Sequence, residues 1–291
     1  MFKNYLKVAF RSLYKNKIYT VINILGLSLG LTITILVFLF VKNETSYEKH
    51  WSDSDRIYRT GINADMMGQK INAGVSPDPM ANALRTEFTE VETATRIRPG
   101  YQEILMRYED RRVYIRYGVA VDSAFFKVFD YEFVHGDPNK ALIDDNSIVL
   151  TEESAQKLFG SKNPMGEVVR YDDRRDLIVT GVVKEPEGLA HFEFDMFHVY
   201  NSIEPIWISN NFKTYVKIKE GVDPDVVLDK MRTTFMKYME PQVEMFLKMN
   251  VEEFYEQGNT FEYQLMPLED IHLHSHQQWE IRQNGNIVYV Y

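Results

Sequence analysis

The sequence predicts an α+β fold carried on a single N-terminal membrane helix, and three observations predict it. The first is an uncharged run of 24 residues from Ile18 to Val41. The second is a strand-helix-strand pattern that occurs twice, once before residue 104 and once after residue 207. The third is a change to short, closely spaced strands between the two.

The uncharged run, IYTVINILGLSLGLTITILVFLFV, exceeds the ~20 apolar residues that cross a ~30 Å hydrocarbon layer at ~1.5 Å per residue. Its polar members, Thr20, Asn23, Ser28, Thr32 and Thr34, are small or neutral and can bond within the helix or to a neighbour. The following flank, KNETSYEKHW, has no small-x-small cleavage signal, which predicts an uncleaved anchor over residues 18–42 rather than a signal peptide. Lys3, Lys7, Arg11, Lys15 and Lys17 precede the span without a single acid, so the N-terminus is expected in the cytoplasm and residues 43 onward on the far side. Within residues 1–17, Phe2, Tyr5, Leu6, Ala9, Phe10 and Leu13 recur at helical spacing, with Lys3, Lys7 and Arg11 on another face. That pattern describes an interfacial helix lying on the membrane lipid, or a basic flank that only sets topology.

Beyond Lys17 the chain holds 28 basic against 42 acidic residues. Such an acidic body does not suit nucleic acid, which needs a basic face to neutralise phosphates. Zero cysteines exclude disulfides, thiol catalysis and thiolate metal sites. The fold must therefore stand on its apolar core, and some 250 exported residues suffice for one large or two modest domains.

In the first half, RIYRTGINA reads as a strand. SPDPMANALRTEFTE then reads as a helix capped by Ser76 or Asp78 with Pro79 in its first turn, and VETATRIRP as a second strand. The later half repeats the order with NNFKTYVKIKEG, a helix opened by Asp223-Pro224 over DPDVVLDKMRTTFMKYME, and NTFEYQLMPLED. Residues 43–103 and 208–276 are thus expected to be structural duplicates. Residues 104–207 form an inserted, mainly β body: a hairpin turning at Glu109-Asp110, a short helix near Ser123 to Val128, and a strand leading into a helix capped by Thr151 and ended by Gly160. Strands at GEVVRY and DLIVTGVV complete it.

Two residue sets invite a site. Gly26 and Gly30 form a GxxxG stripe on which a second helix can pack closely, or are ordinary membrane-helix glycines. His272, His274 and His276 recur at period two, which on a strand points three imidazoles to one face as candidate zinc or nickel ligands; no cysteine or nearby carboxylate pair completes the set. A P-loop is absent, because GLSLGL lacks the lysine and lies in the span, and no H-E-x-x-H zinc motif occurs. Asp172, Asp173 and Asp176 read as a solvated turn. No catalytic, cofactor-binding or metal residue is assigned, and an enzyme is not expected.

The opening YLKVAFRSLYKNKIYTVINILGLSLGL resembles the start of MacB/FtsX-type permeases, the membrane subunits of a class of ABC transporters. A second stretch, VDSAFFKVFDYEFVHGDPNKALIDDNSIVLTEESAQKLFGSKNPMGEVV through DLIVTGVVKEPEGLAHFEFDM, resembles the MacB-like periplasmic core domain. Its pattern falls on Val149 to Glu152, Ala155, Lys157, Phe159, Gly160, Pro164, Gly166 and Thr180 to Val182. The closing YQLMPLEDIHLHS is also similar to the family. The resemblance implies that 43–103 and 208–276 form a porter-like subdomain, 104–207 a Sabre-like insertion, and 277–291 the approach to a second membrane helix of a chain that continues past Tyr291. It implies a place in the bacterial inner membrane with a cytoplasmic ABC ATPase as partner, which alone carries ATP and magnesium. A second permease subunit, identical or not, and a periplasmic adaptor are further partners it suggests. The expected function is mechanotransmission: ATP-driven movement relayed to the periplasm for efflux of a peptide, antibiotic, lipid or lipoprotein. An anchored extracytoplasmic sensor or binding module is the alternative.

Overall fold

A computed structural model of the chain describes residues 2–66, 68–100 and 102–290. They fall into two compact units, Met1–Ser46 with Ile287–Tyr291, and Tyr47–Asn286; the outermost residues of the segments expected at 1–17 and 277–291, Met1 and Tyr291, lie outside the described residues.

In the first unit, helix α1 (Phe2–Lys15) is followed by helix α2 (Lys17–Glu44), which begins one residue before the expected span and ends two after it. At ~1.5 Å per residue, its 28 residues reach about 42 Å. Two hydroxyls inside it are satisfied by its own backbone: Thr32 Oγ1 donates to the Ser28 carbonyl at 2.8 Å and Thr34 Oγ1 to that of Gly30 at 2.9 Å. Such back-bonding makes a polar residue tolerable in lipid.

The second unit opens with β1 (Ile57–Met66), β2 (Gln69–Ala73), β3 (Ser76–Pro77), α3 (Met80–Glu87) and β4 (Val91–Pro99). The insertion supplies β5 (Ile104–Tyr108), β6 (Arg111–Ile115), β7 (Gly118–Val121), α4 (Phe125–Val128), β8 (Phe133–Gly136) and β9 (Ser147–Thr151), then α5 (Glu152–Phe159), β10 (Val168–Tyr171), β11 (Arg175–Val183) and β12 (Met196–Val199). The later half adds β13 (Asn210–Ile218), α6 (Pro224–Leu247), α7 (Val251–Glu256), β14 (Thr260–Pro267) and α8 (Ile271–His274).

Thr151 caps α5 by accepting from the Ser154 N–H, and Gly160 ends it at φ 65°. Asp223 caps α6 by accepting from the Asp225 N–H. Ser76 and Asp78 do not cap α3, because that helix starts only after Pro79. Their side chains make tertiary contacts instead: Ser76 Oγ donates to Thr214 Oγ1 at 2.7 Å, and Asp78 pairs with Arg96 and accepts from the Glu204 N–H. Helix α6 runs past Met239-Glu240, where the sequence suggested its end, and through Pro241 to Leu247. Burial of Val243 offsets the backbone bond that the proline removes.

The strands join in the order β14-β1-β13-β4-β7-β12-β9-β11-β10-β5-β6, with β2 on β1, β3 on β13 and β8 on β11. The first four interleave the two strand-helix-strand halves antiparallel, as in a split βαβ arrangement, and the β4–β7 pairing continues the same sheet into the insertion. Strand alternation then separates two cores. Ile62, Ala64, Ala94 and Val216 face α3 and α6, where Leu84, Met231 and Phe235 are fully enclosed. Ile57, Ile97 and Tyr215 face the other way, onto Phe125, Phe129 and Phe197 from the insertion. Each of those enclosed phenylalanines contributes about 1.5–3 kcal/mol. A third cluster around Leu150, Leu158, Phe159 and Leu177 is the insertion's own.

Candidate functional site

Gly26 and Gly30 lie one turn apart on α2, and a Cβ built on either meets nothing within 4 Å among the described residues. The stripe is therefore open along the unit that carries it. The same five residues spell G-x-S-x-G, but a nucleophile elbow needs a strand-to-helix turn, and Ser28 sits in the middle of a continuous helix.

The three histidines do not share a strand. Ile271–His274 is a single helical turn, so period two spreads the rings instead of aligning them. His272 is buried and stacks on Tyr47 with ring centroids 3.3 Å apart. His274 lies 4.0 Å from Asp270, and His276 is exposed. Among the described residues, no group of three or more His, Asp or Glu side chains is placed to hold a metal ion.

What sequence reading missed is a buried polar chain at the centre of the second unit. Glu48, four residues beyond α2, is wholly buried at φ 66° and accepts from the Trp51 indole N–H at 3.0 Å. Its other oxygen meets His191 Nδ1 at 2.8 Å, and His191 Nε2 meets the Tyr215 hydroxyl at 2.6 Å. Directly across the β1–β13 ladder from Tyr215 stands Arg59, its side chain fully out of solvent. Arg59 donates to both oxygens of Glu280, at 2.5 and 2.7 Å, and to Gln277 Oε1 at 2.8 Å and Ser275 Oγ at 3.1 Å. Burial alone would raise the Glu280 carboxyl; the Arg59 guanidinium and the Ser275 hydroxyl overcome it and hold the group below the usual carboxylate range. Burial keeps the Tyr215 phenol protonated, against the opposing charge of Arg59. Gly74 makes room for this: a Cβ there would lie 2.6 Å from Arg59 Cζ. Next to it, the buried Lys213 ammonium donates to the Gly74 carbonyl at 3.1 Å and to that of Trp279.

The chain's entry into this body, at Glu48, and the segment Ser275–Glu280 near its exit are thus fastened to one cross-strand pair, Tyr215 and Arg59. Gln277–Glu280, read from sequence as the approach to a membrane helix, belongs to the folded body. One signal was available: Arg59 shares its strand face with Ile57, and a charge on an apolar face calls for a buried partner.

A membrane-length apolar helix followed by an interleaved α+β sheet with an inserted β body defines a class of membrane-anchored protein. The chain belongs to the MacB-like periplasmic core domain family, whose family model matches residues 20–234, and the resemblance read from its motifs is borne out. Among solved structures it is similar to a domain of a permease protein from Porphyromonas gingivalis, 20% identical with TM-score 0.62, covering 75% of this chain and 91% of that one. The periplasmic region of MacB from Actinobacillus actinomycetemcomitans matches at 14% identity and TM-score 0.47, covering 77% and 92%. The extracellular domain of the noncanonic ABC-type transporter YknZ from Gram-positive bacteria matches at 16% and 0.43, covering 72% and 99%. The first of these shows the shared fold. No curated protein matches the chain.

Proposed function

We propose that the chain is a permease subunit of a MacB/FtsX-type ABC transporter, relaying ATP hydrolysis by a cytoplasmic partner to a body outside the bacterial inner membrane. The observation that carries this reading is the family match, which runs without a break from the apolar helix into the sheet. The buried chain from Glu48 to Glu280 supports it, because it ties both ends of the folded body to one strand pair. The basic residues before the span place the N-terminus in the cytoplasm. The Gly26–Gly30 stripe is the contact for a second permease subunit or for another membrane helix. Efflux of a peptide, antibiotic, lipid or lipoprotein is the expected output, and the chain itself performs no chemistry in this scheme.

The test is purification of the tagged protein from solubilised membranes, followed by reconstitution with any P-loop ATPase that accompanies it. Hydrolysis that rises when the two share a liposome supports the reading. Recovery with no ATPase, or hydrolysis indifferent to the protein, would leave an anchored binding module in its place.

A further inference from the structure

Helix α1 buries none of its residues, and Phe2 and Phe10 on its apolar side are 79% and 69% exposed. On its other side Lys3, Lys7, Arg11 and Lys15 follow one another at four-residue spacing, and the helix contains no acid. Like charges four residues apart oppose a helix, and an isolated helix shorter than about 12–15 residues is marginal in water even without them. At 14 residues, α1 therefore needs a surface that is apolar and anionic together.

The bend between α1 and α2 says where that surface lies. The Leu13 carbonyl is one of the last four of α1, which a helix leaves without a partner, and it accepts from Thr20 Oγ1 at 2.9 Å. Residues seven apart on a straight helix are separated by about 10 Å along its axis. The bond exists because the chain turns aside at Asn16, with φ −109° and ψ 53°. Beside the bend, Lys17 lies over the Tyr14 ring, 4.6 Å from its centroid, and a ring and a cation of this kind mark the headgroup level. With α2 across the bilayer, a helix bent away from its entry runs along the leaflet.

We propose that α1 is a docking helix for anionic phospholipid. Phe2, Leu6 and Phe10 enter the acyl boundary, the four basic residues draw acidic headgroups around the helix, and the Thr20 hydroxyl pins it at that angle. Zwitterionic lipid would cover the apolar side and leave the charges repelling one another. A nucleic acid would meet the charges and leave the phenylalanines in water. The leaflet offers both, and the single residue between the helices holds α1 against it. The inference goes beyond transport and rests on one part of that reading, that α2 spans the bilayer.

Because the chain has no cysteine, single spin labels can be placed in the full protein in lipid nanodiscs. Labels at Phe10→Cys and Leu29→Cys are expected to be open to oxygen and closed to a nickel chelate. A label at Asn4→Cys, on the face of Arg11, is expected to show the reverse. In phosphatidylcholine discs, chain-labelled phosphatidylglycerol is expected to be retained beside the protein about fivefold over labelled phosphatidylcholine, the factor that one basic residue near an anionic surface supplies. Replacing Lys3, Lys7, Arg11 and Lys15 together by Gln is expected to lower that preference to about twofold or less. Thr20→Val is expected to loosen the Phe10 label, and Thr32→Val, whose bond lies within α2, to leave it unchanged. Equal retention of the two lipids by the native chain overturns the proposal, as does a fivefold preference that survives the four substitutions. So does a Phe10 label open to nickel while the Leu29 label is closed, or one that Thr20→Val moves no more than Thr32→Val. A Leu29 label open to nickel would instead remove the span.

Discussion

Lys213 has a pH signature of its own. It is 2% exposed, and burial, helped by the nearby charge of Arg59, lowers its ammonium from the ordinary 10.5 to about 8, with Glu280 opposing. An unfolded lysine keeps its proton to about 10.4. Below about 8 both states are charged and the fold bears the full cost of burying that charge. Between about 8 and 10 the unfolded chain binds the extra proton, so stability rises with pH. Tyr215 and Tyr131, kept protonated by burial, reverse the trend above about 10. The urea midpoint followed by tryptophan emission is therefore expected to climb from pH 8 to 10 in the native protein and to stay level in Lys213→Met; a level native profile would remove the lysine from the account. At this scale the sequence was least legible. Arg59 and Glu48 sit in unremarkable strings, and the groups that complete them, Glu280 and His191, are 221 and 143 residues away.

Elements governed by neighbouring residues were readable. The Thr151 and Asp223 caps, the Gly160 stop and the turn at Glu109, with φ 50°, all use contacts within a few residues. Elements governed by packing were not. Burial of Val243 carries α6 through Pro241, and the helical turn at Ile271–His274 buries Ile271, His272 and Leu273 together, which the alternation of a strand would not. The interleaved sheet order escaped for the same reason, since β1 pairs with β13 across 160 residues at Ile57↔Lys217. The open stripe on α2 yields the prediction at this scale. Gly26→Leu and Gly30→Leu together are expected to weaken helix association in the membrane, because the two leucines hold apart backbones whose close approach carries the van der Waals contact. The reporter is resonance transfer between labelled copies in liposomes, with Leu27→Ala and Leu31→Ala as controls on other faces. Equal transfer in all variants would make the glycines incidental.

For the whole molecule, the boundary of the folding unit follows from where Arg59 finds its partners. A fragment ending at residue 276, the limit first suggested by the end of the resemblance, omits Gln277 and Glu280 and leaves a guanidinium buried without its carboxylate. Breaking such a pair from one side costs about 3–5 kcal/mol. Residues 47–286 are expected to unfold cooperatively in solution, and residues 47–276 to have a midpoint lower by that amount or to remain unfolded. Calorimetry of the two fragments decides it, and equal melting would show that the Arg59–Glu280 contact adds nothing.

The shared fastening of Glu48 and Glu280 also couples the two ends of the folded body in their local opening. Tyr215 and Arg59 face each other across one ladder, where paired Cα atoms are about 5 Å apart. Two segments from opposite ends of the folded body are therefore anchored at facing positions of neighbouring strands. Opening of that strand pair would release both at once, so the amides around Glu48 and those of Gln277–Glu280 are expected to exchange with solvent deuterium as one unit.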